Sequence, residues 1–274
     1  MVGSQLNSQD ASAPTSKWRR KLRDELEAQR EYAEISDKEL VELVCSRQIT
    51  STNFDTVMAL DWPHFCAAAT EGCGGRKGWC YTFQGRQSSS NHNRKVAFVD
   101  LAARRVPGAF AEKVTKEVDD AVTRGDLPYP NLRYSGSGEV AAHHLPALAR
   151  VVDKGVVLWG FTRMLKIAEK LREIGAHVLI SCDRTSDAKL FGRAKELGFQ
   201  LAYTSIDVGD TPPAEAAVTF PLHRSGKVRE VVDATSLCPK VVQEYLSGFR
   251  AEGSCQKMCH RCHAPGKGFE KEIC

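Results

Sequence analysis

Short apolar runs alternate with amphipathic stretches along the second half of the chain. Five runs have the length and composition of buried strands, at residues 131–134, 156–160, 177–181, 200–205 and 217–222. The stretches between the first four runs repeat apolar positions at helical spacing, at about 141–152, up to Leu171 and up to Leu197. Strands that alternate with helices predict a parallel sheet. We therefore predict an α/β fold, built as a partial, open parallel β/α barrel.

The first half of the chain predicts helices and one strand ahead of this sheet. Residues 17–34 have the charge and spacing of a surface helix, and Ser36-Asp37-Lys38-Glu39 is a capping box that begins a second helix. Three further segments are predicted before the first βα unit: a strand at 54–62, a polar loop at 88–93 and a helix at 96–122 that is broken at Pro107.

These segments predict a chain of four parts. The polar residues 1–16 are expected to be disordered. The remaining three parts are a helical N-terminal extension at 17–50, the partial barrel at 51–235 with a cysteine loop at 66–80, and a cysteine-rich C-terminal segment at 236–274.

Composition and charge narrow the class of protein. A net charge of +4 permits a nucleic acid or an anionic substrate without requiring either. There is no run of about eighteen apolar residues and no apolar signal-peptide centre, so we expect a cytoplasmic protein. In that reducing compartment, the clustering of the ten cysteines favours metal ligation over disulfides.

Four cysteines near the C terminus have the spacing of a metal site. Cys255, Cys259 and Cys262 form C-x3-C-x2-C, and Cys238 lies upstream in L-C-P. Four thiolates can hold zinc in a closed tetrahedron or a four-iron cluster with no open iron, and the spacing leaves both possible. Three neighbouring side chains are alternative ligands: His260, His263 and Cys274.

A second cysteine set lies in a glycine-rich loop much earlier in the chain. Cys66, Cys73 and Cys80 are spaced C-x6-C-x6-C. Three thiolates on a four-iron cluster leave one iron open to bind and activate a ligand. The alternative is a structural zinc site completed by His64 or His92.

A glycine-rich turn follows the first strand after this loop, at Ser135, Gly136, Ser137, Gly138 and Glu139. Its carboxylate can accept hydrogen bonds from an ammonium group, and its bare backbone can admit a cofactor. A simple tight turn is the alternative, because a lone G-x-G is weak evidence.

The next two strands also end in polar residues, where parallel sheets commonly carry function. Thr162 and Arg163 end one strand, and Asp183 and Arg184 follow the other. We expect these four residues to contact a substrate, although Asp183 and Arg184 can also form a simple ion pair. Cys182 is more typical of a core thiol than of a ligand or nucleophile.

Four motifs carry a family resemblance: the C-x6-C-x6-C-Y loop, L-R-Y-S-G-S-G-E, V-V-L-W-G-F-T-R and the closing C-P…C-x3-C-x2-C. Through them, residues 54–264 resemble the gene-product-88-like family of phages and plasmids. That family is similar in turn to the radical S-adenosylmethionine enzymes, which use a partial β/α barrel.

The resemblance implies roles for both cysteine sets and for the glycine-rich turn. Cys66, Cys73 and Cys80 would hold a 4Fe-4S cluster whose open iron binds S-adenosylmethionine, and Glu139 would bind the methionine amino group. Radical enzymes usually space their cysteines C-x3-C-x2-C, whereas here that spacing occurs in the terminal set. The terminal set would then hold a second cluster. Such an enzyme takes electrons from a donor such as a flavodoxin or ferredoxin.

The sequence thus predicts an iron–sulfur enzyme that cleaves S-adenosylmethionine reductively to start radical chemistry on a small-molecule or peptide substrate. A second hypothesis is a zinc-bearing module that binds nucleic acid or protein, supported by basic residues at 17–30 and 76–95. A third is an iron–sulfur redox sensor or electron carrier, which keeps the clusters without a substrate.

Overall fold

The computed structural model describes residues 16–52, 58–63, 89–186, 188–205, 211–214 and 216–221. All seven cysteines predicted to bind metal lie outside these residues, as do residues 1–15 of the segment 1–16 that was predicted to be disordered, whereas Ser16 begins the first helix. The described helices are α1 (Ser16–Ala33), α2 (Asp37–Ser46), α3 (Ser90–Arg105), α4 (Pro107–Thr123), α5 (Leu145–Asp153), α6 (Leu165–Glu173) and α7 (Ala188–Glu196).

The strands form one open, mostly parallel sheet. They are β1 (Ser51–Thr52), β2 (Met58–Asp61), β3 (Asn131–Ser137), β4 (Val157–Thr162), β5 (His177–Cys182), β6 (Gln200–Ser205) and β7 (Ala216–Pro221). Their order in the sheet is their order in the chain, with β1 antiparallel to β2 and every later pair parallel. The predicted α/β class and parallel sheet are confirmed, and among the described strands β1 and β7 form open edges.

The two faces of the sheet have different neighbours. Right-handed connections between sequential parallel strands place the connecting helices on one side. One hydrophobic cluster joins residues of all seven described helices to strand residues on that side: Met58, Leu60, Leu132, Tyr134, Leu158 and Ile180. Side chains alternate between the two faces along a strand, so the strand residues between those six point away from the helices. Ala59, Trp159 and Leu179 are buried there but lie outside that cluster, and we call their side the opposite face.

The N-terminal helices share the hydrophobic core of the sheet. In α1, Ala28 is fully buried and the ring of Tyr32 lies 5.4 Å from that of Phe98 in α3. The predicted capping box is confirmed at the start of α2. There the Ser36 hydroxyl accepts a hydrogen bond from the Glu39 N–H, while the Glu39 carboxylate accepts one from the Ser36 N–H.

Proline separates the two long helices, as predicted. Helix α3 ends at Arg105 and α4 begins at Pro107. Proline has no N–H to donate within a helix, but the first turn of a helix leaves its N–H groups without intrahelical partners. Pro107 therefore suits the beginning of α4 and prevents one continuous helix.

The prediction of a polar loop at 88–93 is wrong from Ser90 onward, where α3 begins. Ser89 caps this helix by accepting a hydrogen bond from the N–H of His92 at 3.3 Å. The polar side chain of Asn93 is fully buried, and it is satisfied by α1, with Lys21 donating to its Oδ1 at 2.9 Å. A helix face can be polar and still buried when a facing helix supplies its hydrogen bonds.

Strand β2 approaches the end of β3 so closely that glycine is required there. Gly138 has a φ of 72°, and a Cβ at this position would lie 2.1 Å from the carbonyl oxygen of Trp62. A Cβ at Gly136 would lie 2.7 Å from the Cβ of Ala59. Both glycines of the predicted cofactor turn are therefore explained by packing within the chain.

We predict that Gly138→Ala lowers the free energy of unfolding by about 3 kcal/mol or more, because the left-handed backbone and the clash with Trp62 both oppose a Cβ. Gly198→Ala is a matched control, since Gly198 has a φ of 70° with no atom within 4 Å of the added Cβ. That variant is expected to lose only about 1–2 kcal/mol. Urea unfolding of both variants measures the difference, and equal losses would show that Trp62 does not constrain this turn.

Candidate functional site

The carboxyl ends of β3, β4 and β5 bring four of the predicted site residues together. Glu139 lies just beyond β3, where its Oε1 accepts a short hydrogen bond from the Thr162 hydroxyl. The backbone N–H of Arg163 reaches the same oxygen at 3.4 Å, and the Arg163 side chain extends to Asp183 beyond β5. We call these four residues, Glu139, Thr162, Arg163 and Asp183, the strand-end site.

The carboxyl of Glu139 is held in a mostly buried environment. Burial raises its pKa, while the hydrogen bonds from Thr162 and Arg163 act in the opposite direction. Both of these donors reach Oε1, and no other donor among the described residues reaches the Glu139 carboxylate. The second oxygen, Oε2, is thus available to a donor from a ligand.

Arg163 and Asp183 form a buried ion pair. The Arg163 Nη2 lies 2.9 Å from the Asp183 Oδ2, and Asp183 has no exposed surface. The other carboxylate oxygen, Oδ1, accepts hydrogen bonds from the N–H of Thr185 at 2.8 Å and from its hydroxyl at 2.5 Å. A buried carboxylate with both oxygens engaged is suited to holding Arg163 in position rather than to contacting a substrate itself.

Ser186 ties the same loop to the guanidinium. Its hydroxyl accepts a hydrogen bond from the Arg163 Nη1 at 3.3 Å and another from the Asp183 N–H at 2.9 Å. Arg163 therefore connects the loops after β4 and β5, with its backbone on Glu139 and its side chain on Asp183. Arg184, the remaining residue predicted in this region, has an exposed side chain.

The rest of the predicted cofactor turn is held by its own hydrogen bonds. The Ser135 hydroxyl donates to the carbonyl of Gly138 at 2.7 Å, and the carbonyl of Ser137 accepts from the N–H of Trp62 at 2.9 Å. These contacts fix the turn, so that Glu139 emerges beside β4.

Cys182 is a core thiol, in line with its interpretation from the sequence. Its side chain is fully buried, and its Sγ lies 3.6 Å from the carbonyl oxygen of Ala202 in β6. Burial raises the pKa of Cys182 to about 12, so the thiolate needed for nucleophilic attack or metal binding is disfavoured.

A cluster that the sequence did not reveal lies beside β2 and α3. The Oδ1 of Asp100 accepts hydrogen bonds from the Nε2 of His144 at 2.7 Å and from the Nε2 of His143 at 2.9 Å. The ring of His144 also stacks on Trp62, with the centroids 3.9 Å apart. The adjacent histidines His143 and His144 are noticeable in the sequence. No spacing pattern connects them to Asp100, however, because Asp100 lies in a different helix more than forty residues earlier.

These three side chains could in principle ligate a metal, since their ligand atoms lie within 4.8 Å of one another. The hydrogen bonds argue against it. His144 Nδ1 accepts the N–H of Ala141 at 3.0 Å, so its proton lies on Nε2, which donates to Asp100. A metal-bound histidine needs that nitrogen unprotonated and usually donates from the other one.

The pKa shifts of His144 and Asp100 agree with a structural hydrogen bond between the two side chains. Burial lowers the pKa of His144, which favours the neutral ring. Burial acts to raise the pKa of Asp100, but the hydrogen bonds from His144 and His143, together with their charge attraction, lower it overall. An ionised Asp100 that accepts from a neutral His144 is a stable structural link between α3 and the segment after β3.

The chain leaves β2 directly beside the strand-end site. A Cβ at Gly138 would lie 2.8 Å from the carbonyl oxygen of Pro63, the last described residue of that segment. Cys66 follows Pro63 by three residues in the sequence, although Cys66 itself lies outside the described part.

Comparisons with known proteins identify no relative of this chain. No family model matches the chain, no curated protein matches it, and no solved structure matches its fold. Among the helices that the structure describes, none is long and apolar enough to cross a membrane.

We predict that Arg163→Met lowers the free energy of unfolding by about 3–5 kcal/mol, because it leaves the charge of Asp183 buried without its partner. Arg124→Met is the matched control, since Arg124 pairs with Asp126 on the surface, where both side chains are more than half exposed. That change is expected to cost about 0–1 kcal/mol. Chemical denaturation of both variants measures the difference.

A double variant checks the cause of that loss. Adding Asp183→Asn to Arg163→Met removes the unpaired charge and is expected to recover part of the lost stability. If Arg163→Met were as mild as Arg124→Met, the buried ion pair would not organise the two loops.

Proposed function

We propose that the protein is an iron–sulfur enzyme of the radical S-adenosylmethionine kind. In this proposal Cys66, Cys73 and Cys80 hold an open 4Fe-4S cluster, and the strand-end site binds the cofactor and orients a substrate. The open sheet would correspond to the partial β/α barrel of such enzymes. When bound, a reduced cluster with an open iron supplies the electron that cleaves S-adenosylmethionine.

One observation carries the proposal. Glu139, Thr162 and Arg163 converge at the edge of the sheet where the chain leaves β2 at Pro63. Cys66, the first cysteine of the early set, follows Pro63 by only three residues in the sequence. In this proposal, that short connection brings the cluster to the edge where the three side chains converge.

The residues present fit an amino-acid cofactor at one point in particular. Glu139 offers a carboxylate whose Oε2 can accept an ammonium hydrogen, and an ammonium would also offset the cost of burying the ionised form. The glycines of the turn give no independent support, because Trp62 and Ala59 already require them. The fit therefore depends on Glu139.

The terminal cysteines complete the proposal as a second metal centre. Cys238, Cys255, Cys259 and Cys262 supply four thiolates, enough for a closed cluster. A closed cluster can relay electrons or anchor a substrate, whereas zinc at this site would be structural.

The alternative of a nucleic-acid-binding module has less support in the described residues. Within the basic stretches on which it rests, Lys21 is buried beside Glu25 and Arg94 pairs with Glu31. The Lys95 amine donates to a backbone carbonyl next to β1, and burial lowers its pKa. Cations already engaged in ion pairs or hydrogen bonds within the chain are less available to neutralise phosphates.

Metal analysis of the full-length protein tests the proposal. We predict about eight irons and a matching amount of sulfide per chain after anaerobic purification. Replacing Cys66, Cys73 and Cys80 by alanine should remove about half of the iron, and replacing Cys255, Cys259 and Cys262 should remove the other half.

Two changes serve as controls for the cysteine variants. Cys45→Ala alters an exposed free cysteine on α2, and His143→Ala disrupts the Asp100 cluster. Both should leave the iron content unchanged. Zinc without iron in the purified protein would overturn the enzyme proposal and favour the interaction module. Intact clusters with no cofactor binding would favour the sensor or electron carrier.

Glu139→Gln tests the binding role of the carboxylate separately from folding. We predict that it weakens S-adenosylmethionine binding by about tenfold or more, because a charge-assisted hydrogen bond is lost. Its stability should be equal or higher, since a neutral amide is easier to bury than a carboxylate. Glu42→Gln, at an exposed position on α2, is the control.

Calorimetric titration gives the affinity for S-adenosylmethionine, and thermal unfolding gives the stability of each variant. Unchanged affinity in Glu139→Gln would exclude Glu139 from the cofactor site.

A further inference from the structure

We propose a second site on the opposite face of the sheet, where Arg133, Trp159 and His177 bind a small molecule through a carboxylate or phosphate group. These three residues lie on β3, β4 and β5 and are neighbours in one row across the sheet, because Arg133 is in register with Trp159 and Trp159 with His177. The site uses neither the cysteines nor Glu139, so it does not depend on the iron–sulfur proposal.

Arg133 is held against two aromatic rings with part of its hydrogen-bonding capacity unused. Its guanidinium carbon lies 5.0 Å from the ring centroid of Phe161 and 6.0 Å from that of Trp159. Its Nε is buried and has no acceptor in the described part of the chain. Buried donors without partners are rare in folded proteins and call for an explanation.

No described carboxylate neutralises this guanidinium. The opposite face does carry Asp61, two residues beyond Ala59, which is in register with Arg133. Within the described part of the chain, however, Asp61 and Arg133 form no ion pair. A cation fixed by rings and lacking a carboxylate partner favours an anionic ligand.

His177 provides the second hydrogen-bonding group without a partner. Its Nε2 is buried and has no hydrogen-bond partner among the described residues. Burial lowers its pKa to about 4, so the ring is neutral at physiological pH. A neutral imidazole can present an N–H to an anion without adding a charge that the buried site would have to accommodate.

The floor between these two groups is rigid. The Trp159 indole N–H donates to the Oδ1 of Asn131 at 3.2 Å, and the Asn131 amide donates to the carbonyl of Tyr129 at 3.0 Å. Trp159 also meets Phe161 edge to face, with the ring centroids 6.1 Å apart. Neighbouring strands are about 4.8 Å apart, so Arg133 and His177 are separated only by β4 and its Trp159.

The site lies toward the amino-terminal ends of the strands. Trp159 precedes Thr162 by three residues, about 10 Å along β4, and His177 precedes Asp183 by six, about 20 Å. The Arg133 guanidinium leans toward Phe161, the residue before Thr162. A ligand bound here would therefore occupy the amino-terminal half of the sheet rather than the edge that carries the strand-end site.

Thermal unfolding of the full-length protein with sodium phosphate or sodium acetate tests this site, with sodium chloride at equal ionic strength as the baseline. An anion that binds the native state raises the melting temperature with its concentration. We expect such a rise beyond the chloride baseline for at least one of the two anions. Because phosphate also stabilises folded proteins without binding to a site, the ligand group is identified by the anion whose extra rise is lost in Arg133→Met.

Arg133→Met keeps the apolar stem over the rings and removes the donors. It is expected to weaken anion binding by about tenfold or more, without lowering the melting temperature in chloride. Arg193→Met, at an exposed arginine of α7, should retain the full anion effect. The His177 ring resonances, assigned with His177→Gln, should shift on addition of the same anion.

Two results would contradict the proposal that Arg133 and His177 bind an anion. One is an equal anion-dependent rise in Arg133→Met and wild type. The other is no rise beyond chloride with either anion in the wild-type protein.

Discussion

The close approach of Trp62 to Gly138 is the constraint on which the organisation of the described fold depends. The Trp62 carbonyl occupies the space that a Cβ at Gly138 would fill, and its indole N–H donates to the Tyr134 carbonyl at 2.5 Å. The same ring stacks on His144, which is bound in turn to Asp100. Through its backbone carbonyl and its ring, Trp62 thus links the end of β2 to β3 and, by way of His144, to α3.

A second constraint acts at the edge where the strands end. Parallel strands in chain order bring every carboxyl end to that edge, so residues distant in sequence become neighbours there. The buried pair of Arg163 and Asp183 uses this arrangement to join two loops, and the backbone of Arg163 supports Glu139. The charge of Asp183 is thus paired within the chain, while Oε2 of Glu139 accepts no hydrogen bond from the described residues.

Periodicity predicted the α/β class, the parallel sheet and the helix break at Pro107, because these depend on local patterns. It failed at Ser90, because a polar helix face is buried there against α1, and its hydrogen-bond partners Lys21 and Asp24 are distant in sequence. The strand-end residues were predictable from their positions after strands. The Asp100 cluster was not, because its hydrogen bonds join segments more than forty residues apart.

The most direct test of the proposed chemistry is electron–nuclear double resonance of the reduced protein, with S-adenosylmethionine labelled with ¹⁵N at the amino group and ¹³C at the carboxylate. We predict hyperfine coupling of both labels to the cluster in wild type, with the ¹⁵N coupling altered or lost in Glu139→Gln. A reduced cluster with no coupling to either label would contradict binding of this cofactor at an open iron.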